Sequence, residues 1–177
     1  FELEKIIALS EKIGIVPKLG IRVKLSAKGT GKWATSGGSD AKFGLKISEL
    51  LAAIDLLKEH DLLDHVKLLH FHIGSQITVG MGAYRAAYAR LAELVRAIRA
   101  QGLPIERIDC GGGLGIAYRD EIAPAPAALA GAIKAELGAL GLPVMLEPGR
   151  WIAGPAGVLL SRVILQKQGA ARRFVVL

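Results

Sequence analysis

The sequence predicts an α/β fold in which helices alternate with the strands of a parallel sheet. Segments of helical periodicity alternate with short apolar runs rich in Val, Ile and Leu, which is the pattern of right-handed βαβ units. Four of these runs end in polar or glycine-rich stretches, where α/β folds place their ligands. Four units do not by themselves distinguish half of a (β/α)8 barrel from a small open sheet.

Periodicity and capping residues set the predicted element boundaries. Gly14 and Gly102 each follow a helical segment, where a left-handed residue favours glycine, and Ser48 is the predicted N-cap of another helix. In chain order we predict a helix over 2–14, a strand over 18–25, a loop over 26–39, a helix over 47–60, a strand over 66–73, a helix over 81–101, a strand over 105–110, a helix over 126–140 and a strand over 144–146. After residue 157 the pattern changes to two strands without a helix between them, over 158–167 and 173–177.

Composition and charge narrow the class of protein. Hydrophobic residues make up 51% and charged residues 22% of the 177 residues, which is typical of a globular domain. The net charge of +7 comes from basic residues spaced along helices, such as Arg85, Arg90, Arg96 and Arg99, without interleaved aromatics. This spacing indicates a solvated helix face rather than a nucleic-acid interface, although the charge would suit an anionic ligand.

Cysteine usage and the lack of long apolar runs indicate a cytoplasmic protein with no membrane partner. Cys110 is the only cysteine, so no internal disulfide can form, and a lone thiol of this kind is more often a packing residue than a nucleophile. No apolar run reaches the ~20 residues of a membrane span. Phe1 lies within a predicted helix and Leu177 within a predicted strand, so we expect the chain to continue at both ends.

Gly111, Gly112 and Gly113 follow the third strand directly and predict a phosphate loop. Without a Cβ, backbone N–H groups can approach an anion closely. A tight strand-to-helix turn is the alternative. Ordering three consecutive glycines costs much conformational entropy, however, and a turn alone seldom needs three of them.

The fourth strand leads into Glu147-Pro148-Gly149-Arg150, which places a carboxylate and a guanidinium together. Arg150 could hold a phosphate or a carboxylate through two hydrogen bonds, and Glu147 could pair with the ring nitrogen of a cofactor. A surface turn with a weak ion pair explains the motif equally well.

His70 and His72 alternate on the second strand, before Gly74 and Ser75. The pair could ligate zinc, but no further ligand cluster accompanies it, so we predict no metal. His72 is suited to pack on a flat cofactor, with Ser75 donating to a phosphate. For His70 we favour a buried histidine satisfied by the backbone.

Three motifs in this order resemble the alanine-racemase-like (fold type III) decarboxylases that depend on pyridoxal phosphate (PLP): His72–Gln76, Cys110–Gly115 and Glu147–Arg150. The resemblance implies the C-terminal half of a PLP-binding (β/α)8 barrel over residues 1–157, followed by the first strands of a β domain over 158–177. It also implies a homodimer that acts on a small amino acid.

The resemblance implies roles for the matching residues. His72 would stack on the PLP ring, and Glu147 would pair with the pyridine nitrogen. Arg150 would contact the phosphate or a substrate carboxylate. The other implied cofactor contacts are Ser75, Gly111, Gly112, Gly113 and Gly149.

Different parts of the chain resemble two different members of the family. Residues 1–76 are similar to biosynthetic arginine decarboxylase, in Gly31-Lys32-Trp33 and Lys42-Phe43-Gly44-Leu45 among others, and residues 76–177 to diaminopimelate decarboxylase. The chain is then a hybrid of two members or a divergent natural one. We predict diaminopimelate decarboxylase, an enzyme of lysine biosynthesis that releases CO2, with arginine decarboxylase as the alternative.

No segment matches the family's Schiff-base lysine motif, and Lys24 does not match it either. No catalytic residue is therefore predicted within the chain, and we expect these residues to be inactive in isolation. The alternative to an enzyme is a half-barrel that binds PLP or acts as a scaffold without catalysing a reaction.

Overall fold

The structure is a computed structural model that describes residues 2–25 and 42–177. The loop predicted over 26–39, with its Gly31-Lys32-Trp33 motif, lies outside the described residues. Within them, no helix is both long enough and apolar enough to cross a membrane.

Helices and strands alternate among the described residues up to residue 153, as predicted. The α-helices are α1 (Glu2–Ile13), α2 (Ile47–Glu59), α3 (Gly82–Ala100), α4 (Pro126–Leu137) and α5 (Gly149–Ala153). The strands are β1 (Leu19–Arg22), β2 (Val66–His70), β3 (Arg107–Asp109), β4 (Val144–Met145), β5 (Leu165–Gln168) and β6 (Arg173–Val176). Short 3-10 helices span Leu63–His65, Gly138–Leu140 and Gly154–Ala156.

The first four strands form one parallel sheet in the order β1-β2-β3-β4. An open doubly wound sheet reverses its strand order at a switch point, whereas consecutive barrel strands are neighbours in sequence order. The described sheet therefore has the strand order of a partial barrel. Its register places Arg22 beside His70 and His70 beside Asp109.

The helices cover one face of this sheet and bury its alternate residues. Leu69 and Ile108 are fully buried on that face, because side chains alternate between the two faces of a strand. Phe71, just after β2, meets the Tyr88 ring of α3 edge-on, with 5.9 Å between ring centroids. The opposite face carries polar side chains, including His70 and Asp109.

The glycine stops of two helices are confirmed, since Gly14 and Gly102 have φ values of +67° and +94°. The Ser48 N-cap is wrong. Helix α2 begins after Lys46, whose N–H donates to the Glu49 carboxylate at 2.7 Å, so Ser48 lies within the first turn.

Several predicted strands are shorter than their apolar runs. Strand β2 ends at His70, because residues 71–76 turn into the loop beside the next strand. In place of the run predicted over 158–167, strand β5 spans Leu165–Gln168 and pairs with β6 in an antiparallel hairpin. This hairpin is a sheet separate from the first four strands, and the boundary at residue 157 stays a prediction.

Truncating Leu69 to alanine should lower the free energy of unfolding by about 2–5 kcal/mol, because the side chain is fully buried in the second strand. Urea denaturation measures the change. The matched control is Leu159→Ala, since Leu159 is 95% exposed and its truncation should change stability by less than about 0.5 kcal/mol. Equal effects of the two substitutions would contradict the packing described for β2.

Candidate functional site

The loops that follow β2, β3 and β4 lie side by side at the carboxyl end of the parallel sheet. The Glu147 N–H donates to the Gly111 carbonyl at 2.8 Å, and the Ile77 N–H donates to the Gly113 carbonyl at 2.9 Å. Three of the predicted motifs therefore meet, because carboxyl ends of neighbouring parallel strands share one edge. We take this edge as the candidate site.

The glycine loop, Gly111 to Gly113, packs against the backbone of both neighbouring loops. A Cβ on Gly112 would lie 2.3 Å from the Glu147 carbonyl oxygen, and one on Gly111 would lie 2.5 Å from the Phe71 carbonyl oxygen. Gly111 and Gly113 also have φ values of +63° and +113°, which favour glycine. Packing alone thus requires glycine here, whatever the loop binds.

Two of the three glycine N–H groups donate to side chains of the protein itself. The Gly111 N–H donates to Asp109 Oδ1 at 2.9 Å, and the Gly112 N–H donates to His72 Nδ1 at 3.1 Å. The Gly113 N–H has no hydrogen-bond partner within residues 2–25 and 42–177. Of the three N–H groups, only that of Gly113 is therefore left to donate to a phosphate at this loop, while the first two glycines let the neighbouring loops pack closely.

The His72 ring is held against the glycine loop in one tautomer. Since Nδ1 accepts the Gly112 N–H, the proton of the neutral imidazole is on Nε2. Burial and then the positive charge of Arg22 lower the pKa of His72 below its ordinary value of 6.5, against the opposing effects of Glu147 and Asp109. At neutral pH the ring is uncharged, which suits it to pack on a flat aromatic ligand.

His70 is placed differently from the prediction. Its Nε2 is buried and has no hydrogen-bond partner among the described residues. The prediction that the backbone satisfies the hydrogen bonds of this histidine is therefore wrong. The Glu147 carboxylate is close to it, with Oε2 3.5 Å from this nitrogen. Ligand atoms of His70, Asp109 and Glu147 lie within 4.8 Å of one another. Among the described residues, this group has the spacing of a cation site, and His72 is not part of it.

The remaining predicted site residues lie around the same loops. Arg150 is in the first turn of α5 and has no ion-pair partner in the described part of the chain. The Gly149 N–H donates to the Glu147 carbonyl at 2.8 Å, which turns the chain from β4 into α5. Ser75 is partly buried in the loop after β2.

Two residues of this region were missed from the sequence. Arg22 lies beside His70 in the register of β1 and β2, and its guanidinium is 5.1 Å from the centre of the Phe43 ring. The side-chain amide of Gln76 donates to the Ile116 carbonyl and accepts the Ile116 N–H, so it clamps the two loops together. Strand alternation could have revealed Arg22, whereas nothing in the local sequence indicates the Gln76 clamp.

Cys110 is a packing residue, as the sequence favours. Only 1% of its surface is exposed, and burial raises the pKa of the thiol to about 12. The thiol is therefore protonated at neutral pH and is no nucleophile there.

The described side chains give this edge three chemical capacities. It offers the Gly113 N–H to an anion, and Arg150 lies in the first turn of α5, directly after the loop that follows β4. It offers the uncharged His72 ring to a flat ligand, and a half-exposed Glu147 carboxylate to a hydrogen-bond donor.

Comparison with known families identifies the segment that carries this edge. Residues 1–154 match the pyridoxal-binding domain of the pyridoxal-dependent decarboxylases. Among curated proteins, the chain is 60% identical over 118 residues to the biosynthetic arginine decarboxylase of Citrifermentans bemidjiense, and 62% identical over 118 residues to that of Geotalea daltonii. Each match covers 67% of this chain and 18% of the relative, so the chain spans about a fifth of these proteins.

Solved structures of the same class have the same fold. A diaminopimelate decarboxylase from Helicobacter pylori, complexed with L-lysine, has a TM-score of 0.81 at 30% identity, covering 98% of this chain and 43% of that protein. The biosynthetic arginine decarboxylase of Campylobacter jejuni has a TM-score of 0.71 at 28% identity, covering 85% of this chain and 26% of that protein. The sequence similarity to arginine decarboxylases extends over 118 residues. It is therefore longer than residues 1–76, the part of the chain in which the sequence motifs resemble that enzyme.

Replacing Gly112 by alanine should lower the free energy of unfolding by roughly 1–3 kcal/mol, because the new Cβ would meet the Glu147 carbonyl at 2.3 Å. Urea denaturation measures the change. Gly131 in α4 is the matched control, since no atom lies within 4 Å of its Cβ position and Gly131→Ala should stabilise the helix by up to about 1 kcal/mol. A neutral Gly112→Ala would show that the loops are not in contact.

The lowered His72 pKa predicts that acid weakens the fold. Because the unfolded imidazole binds a proton at higher pH than the folded one, this contribution to stability is complete above 6.5 and is lost as the pH falls toward the folded pKa. An NMR titration of the His72 ring should give a midpoint below 6.5. The free energy of unfolding should decrease between pH 7.5 and 5.5, and less so in His72→Gln; identical pH slopes would refute the assignment.

Proposed function

We propose, from the premise that the chain belongs to the pyridoxal-dependent decarboxylases, that it forms the phosphate and ring side of the cofactor site in an enzyme that decarboxylates L-arginine. The observation that carries the proposal is the pairing of the Gly112 N–H with His72 Nδ1. It fixes an uncharged imidazole beside an anion-binding N–H and a carboxylate, which together suit a phosphorylated pyridine.

The residues present fit PLP, the cofactor of this family. The Gly113 N–H is unpartnered within the described residues and can donate to a phosphate. Arg150 adds a positive charge for the phosphate. Glu147, half exposed, provides the acceptor that a protonated ring nitrogen requires.

Each side chain has a separate task in the proposed reaction. When bound, PLP supplies an electron sink for the electrons released as the substrate carboxylate leaves as CO2. Glu147 keeps the proton on the ring nitrogen, and His72 packs on the ring without adding charge. Arg150 and the Gly113 N–H hold the phosphate, with Ser75 as a further donor.

These residues bind and orient rather than attach the cofactor covalently. No lysine within the 177 residues matches the family's Schiff-base motif. The chain also spans 18% of the curated relatives and 43% of the Helicobacter pylori protein. We therefore propose that decarboxylation requires these residues together with the segments that supply the lysine.

Sequence identity supports arginine as the substrate. Arginine decarboxylases from several bacteria are 59% to 62% identical over 118 residues, about twice the 30% identity to the diaminopimelate decarboxylase. The prediction from sequence was diaminopimelate decarboxylase, and this greater identity favours the alternative. A role in lysine biosynthesis is accordingly not the favoured proposal.

Diaminopimelate is kept as a second candidate substrate for one structural reason. The match to the Helicobacter pylori diaminopimelate decarboxylase covers 98% of this chain, whereas the match to the Campylobacter jejuni arginine decarboxylase covers 85%. Direct comparison of the two substrates decides between them.

The phosphate contact predicts a difference between PLP and pyridoxal, which lacks the phosphate. Arg150→Gln should weaken PLP binding to the chain roughly 10- to 100-fold, as expected for loss of a charge-assisted hydrogen bond, and leave pyridoxal binding unchanged. Equilibrium dialysis measures both. Arg96→Gln, on the exposed side of α3, is the matched control and should change neither affinity. Absence of PLP binding by the unaltered chain would overturn the proposed function.

The substrate assay uses the longest natural polypeptide that contains these residues, saturated with PLP. Release of labelled CO2 is followed from carboxyl-labelled L-arginine, meso-diaminopimelate and L-ornithine. We expect kcat/KM for L-arginine to exceed the others by at least about 10-fold, a difference of 1.4 kcal/mol in transition-state binding. A preference for diaminopimelate would overturn arginine as substrate, and no CO2 from any of them would overturn decarboxylation.

A further inference from the structure

His70 has a buried ring nitrogen that lacks a hydrogen-bond partner. Its Nε2 makes no hydrogen bond to another described residue, and only 16% of the side chain is exposed. Leaving a buried polar atom unsatisfied costs about 1–3 kcal/mol. A histidine at this position therefore requires a reason other than packing.

The register of the sheet directs this nitrogen toward acidic groups. His70 and Asp109 are partners on β2 and β3, so their side chains leave the sheet on the same face. Glu147 follows the next strand, and its backbone is held by the hydrogen bond from its N–H to the Gly111 carbonyl. Ligand atoms of the three side chains consequently fall within 4.8 Å of one another.

Glu147, rather than Asp109, is the available acceptor. Asp109 Oδ1 already accepts the Gly111 N–H at 2.9 Å. The Glu147 carboxylate has no other hydrogen bond or ion pair within residues 2–25 and 42–177, and its Oε2 is 3.5 Å from His70 Nε2. The Glu147 side chain is 52% exposed, so a small rotation brings the two atoms to hydrogen-bond distance.

We propose that His70 is a positioning residue for Glu147: its Nε2–H donates to the Glu147 carboxylate and keeps that group directed at the cofactor's ring nitrogen. The inference rests on the proposed function, which places PLP against Glu147. Without His70, nothing in the described part of the chain restrains this half-exposed carboxylate, and it is free to turn into solvent. Outer hydrogen bonds of this kind orient the groups that contact a cofactor.

The contact itself is tested without cofactor. Long-range proton–nitrogen NMR spectra of the chain, labelled with nitrogen-15 at histidine, distinguish a protonated Nε2 from one with a free lone pair. We expect His70 Nε2 to carry the proton, and its resonance to move in Glu147→Gln but not in Glu93→Gln, which alters an exposed carboxylate of α3. A lone pair on His70 Nε2, as a metal ligand would have, or a resonance indifferent to Glu147→Gln, would overturn the proposal.

The consequence for the cofactor is tested by PLP affinity. His70→Leu should weaken PLP binding about 10-fold, whereas His70→Gln, whose amide can still donate, should restore most of it. In the Glu147→Ala background, which removes the acceptor, the His70→Leu effect should shrink to less than about 2-fold, because His70 acts through Glu147. A purely structural histidine would give the same loss in both backgrounds, and that result would refute the positioning role.

The two levels of failure are distinguishable. If the unaltered chain does not bind PLP, the proposed function fails and the role of His70 toward the cofactor fails with it. If PLP binds and the two His70 variants bind it as tightly as the unaltered chain, the proposed function stands and the positioning role is refuted.

Discussion

The loop after β3 can lie between its two neighbours because it carries no Cβ at the points of contact. A Cβ on Gly112 would lie 2.3 Å from the Glu147 carbonyl oxygen, and one on Gly111 would lie 2.5 Å from the Phe71 carbonyl oxygen, so any side chain here would clash. This close approach lets the Glu147 N–H reach the Gly111 carbonyl and brings the ends of β2, β3 and β4 to one edge. The contacts of the glycine loop with its two neighbouring loops depend on it.

The same approach determines how the polar groups are shared. With the loops in contact, the Gly112 N–H reaches the His72 ring and fixes its tautomer, and the Gly111 N–H satisfies the buried Asp109. Two donors that a phosphate could have used are thereby committed to the protein. In exchange, the His72 ring is held in one tautomer and is uncharged, which suits it to pack on a flat cofactor.

The site therefore consists of a rigid part and a movable part. His72 and the glycine loop are held by backbone contacts on both sides, whereas Glu147 has an anchored backbone and a half-exposed carboxylate. His70 lies under that carboxylate with its nitrogen unsatisfied. A cofactor that brings a ring nitrogen to Glu147 would complete the arrangement, which is why the positioning role follows from the proposed function.

The sequence by itself determined the alternation of helices and strands, the glycine stops at Gly14 and Gly102, and the three motifs at the strand ends, because these depend on local periodicity and backbone preference. It left open whether the strands form a barrel or an open sheet, and it misjudged His70 and the Ser48 cap. Only the tertiary structure decided that His72, rather than His70, takes the Gly112 N–H, and that Gln76 clamps Ile116. These partners lie 40 residues apart in the chain, and strand register and loop packing, which bring them together, leave no trace in local sequence.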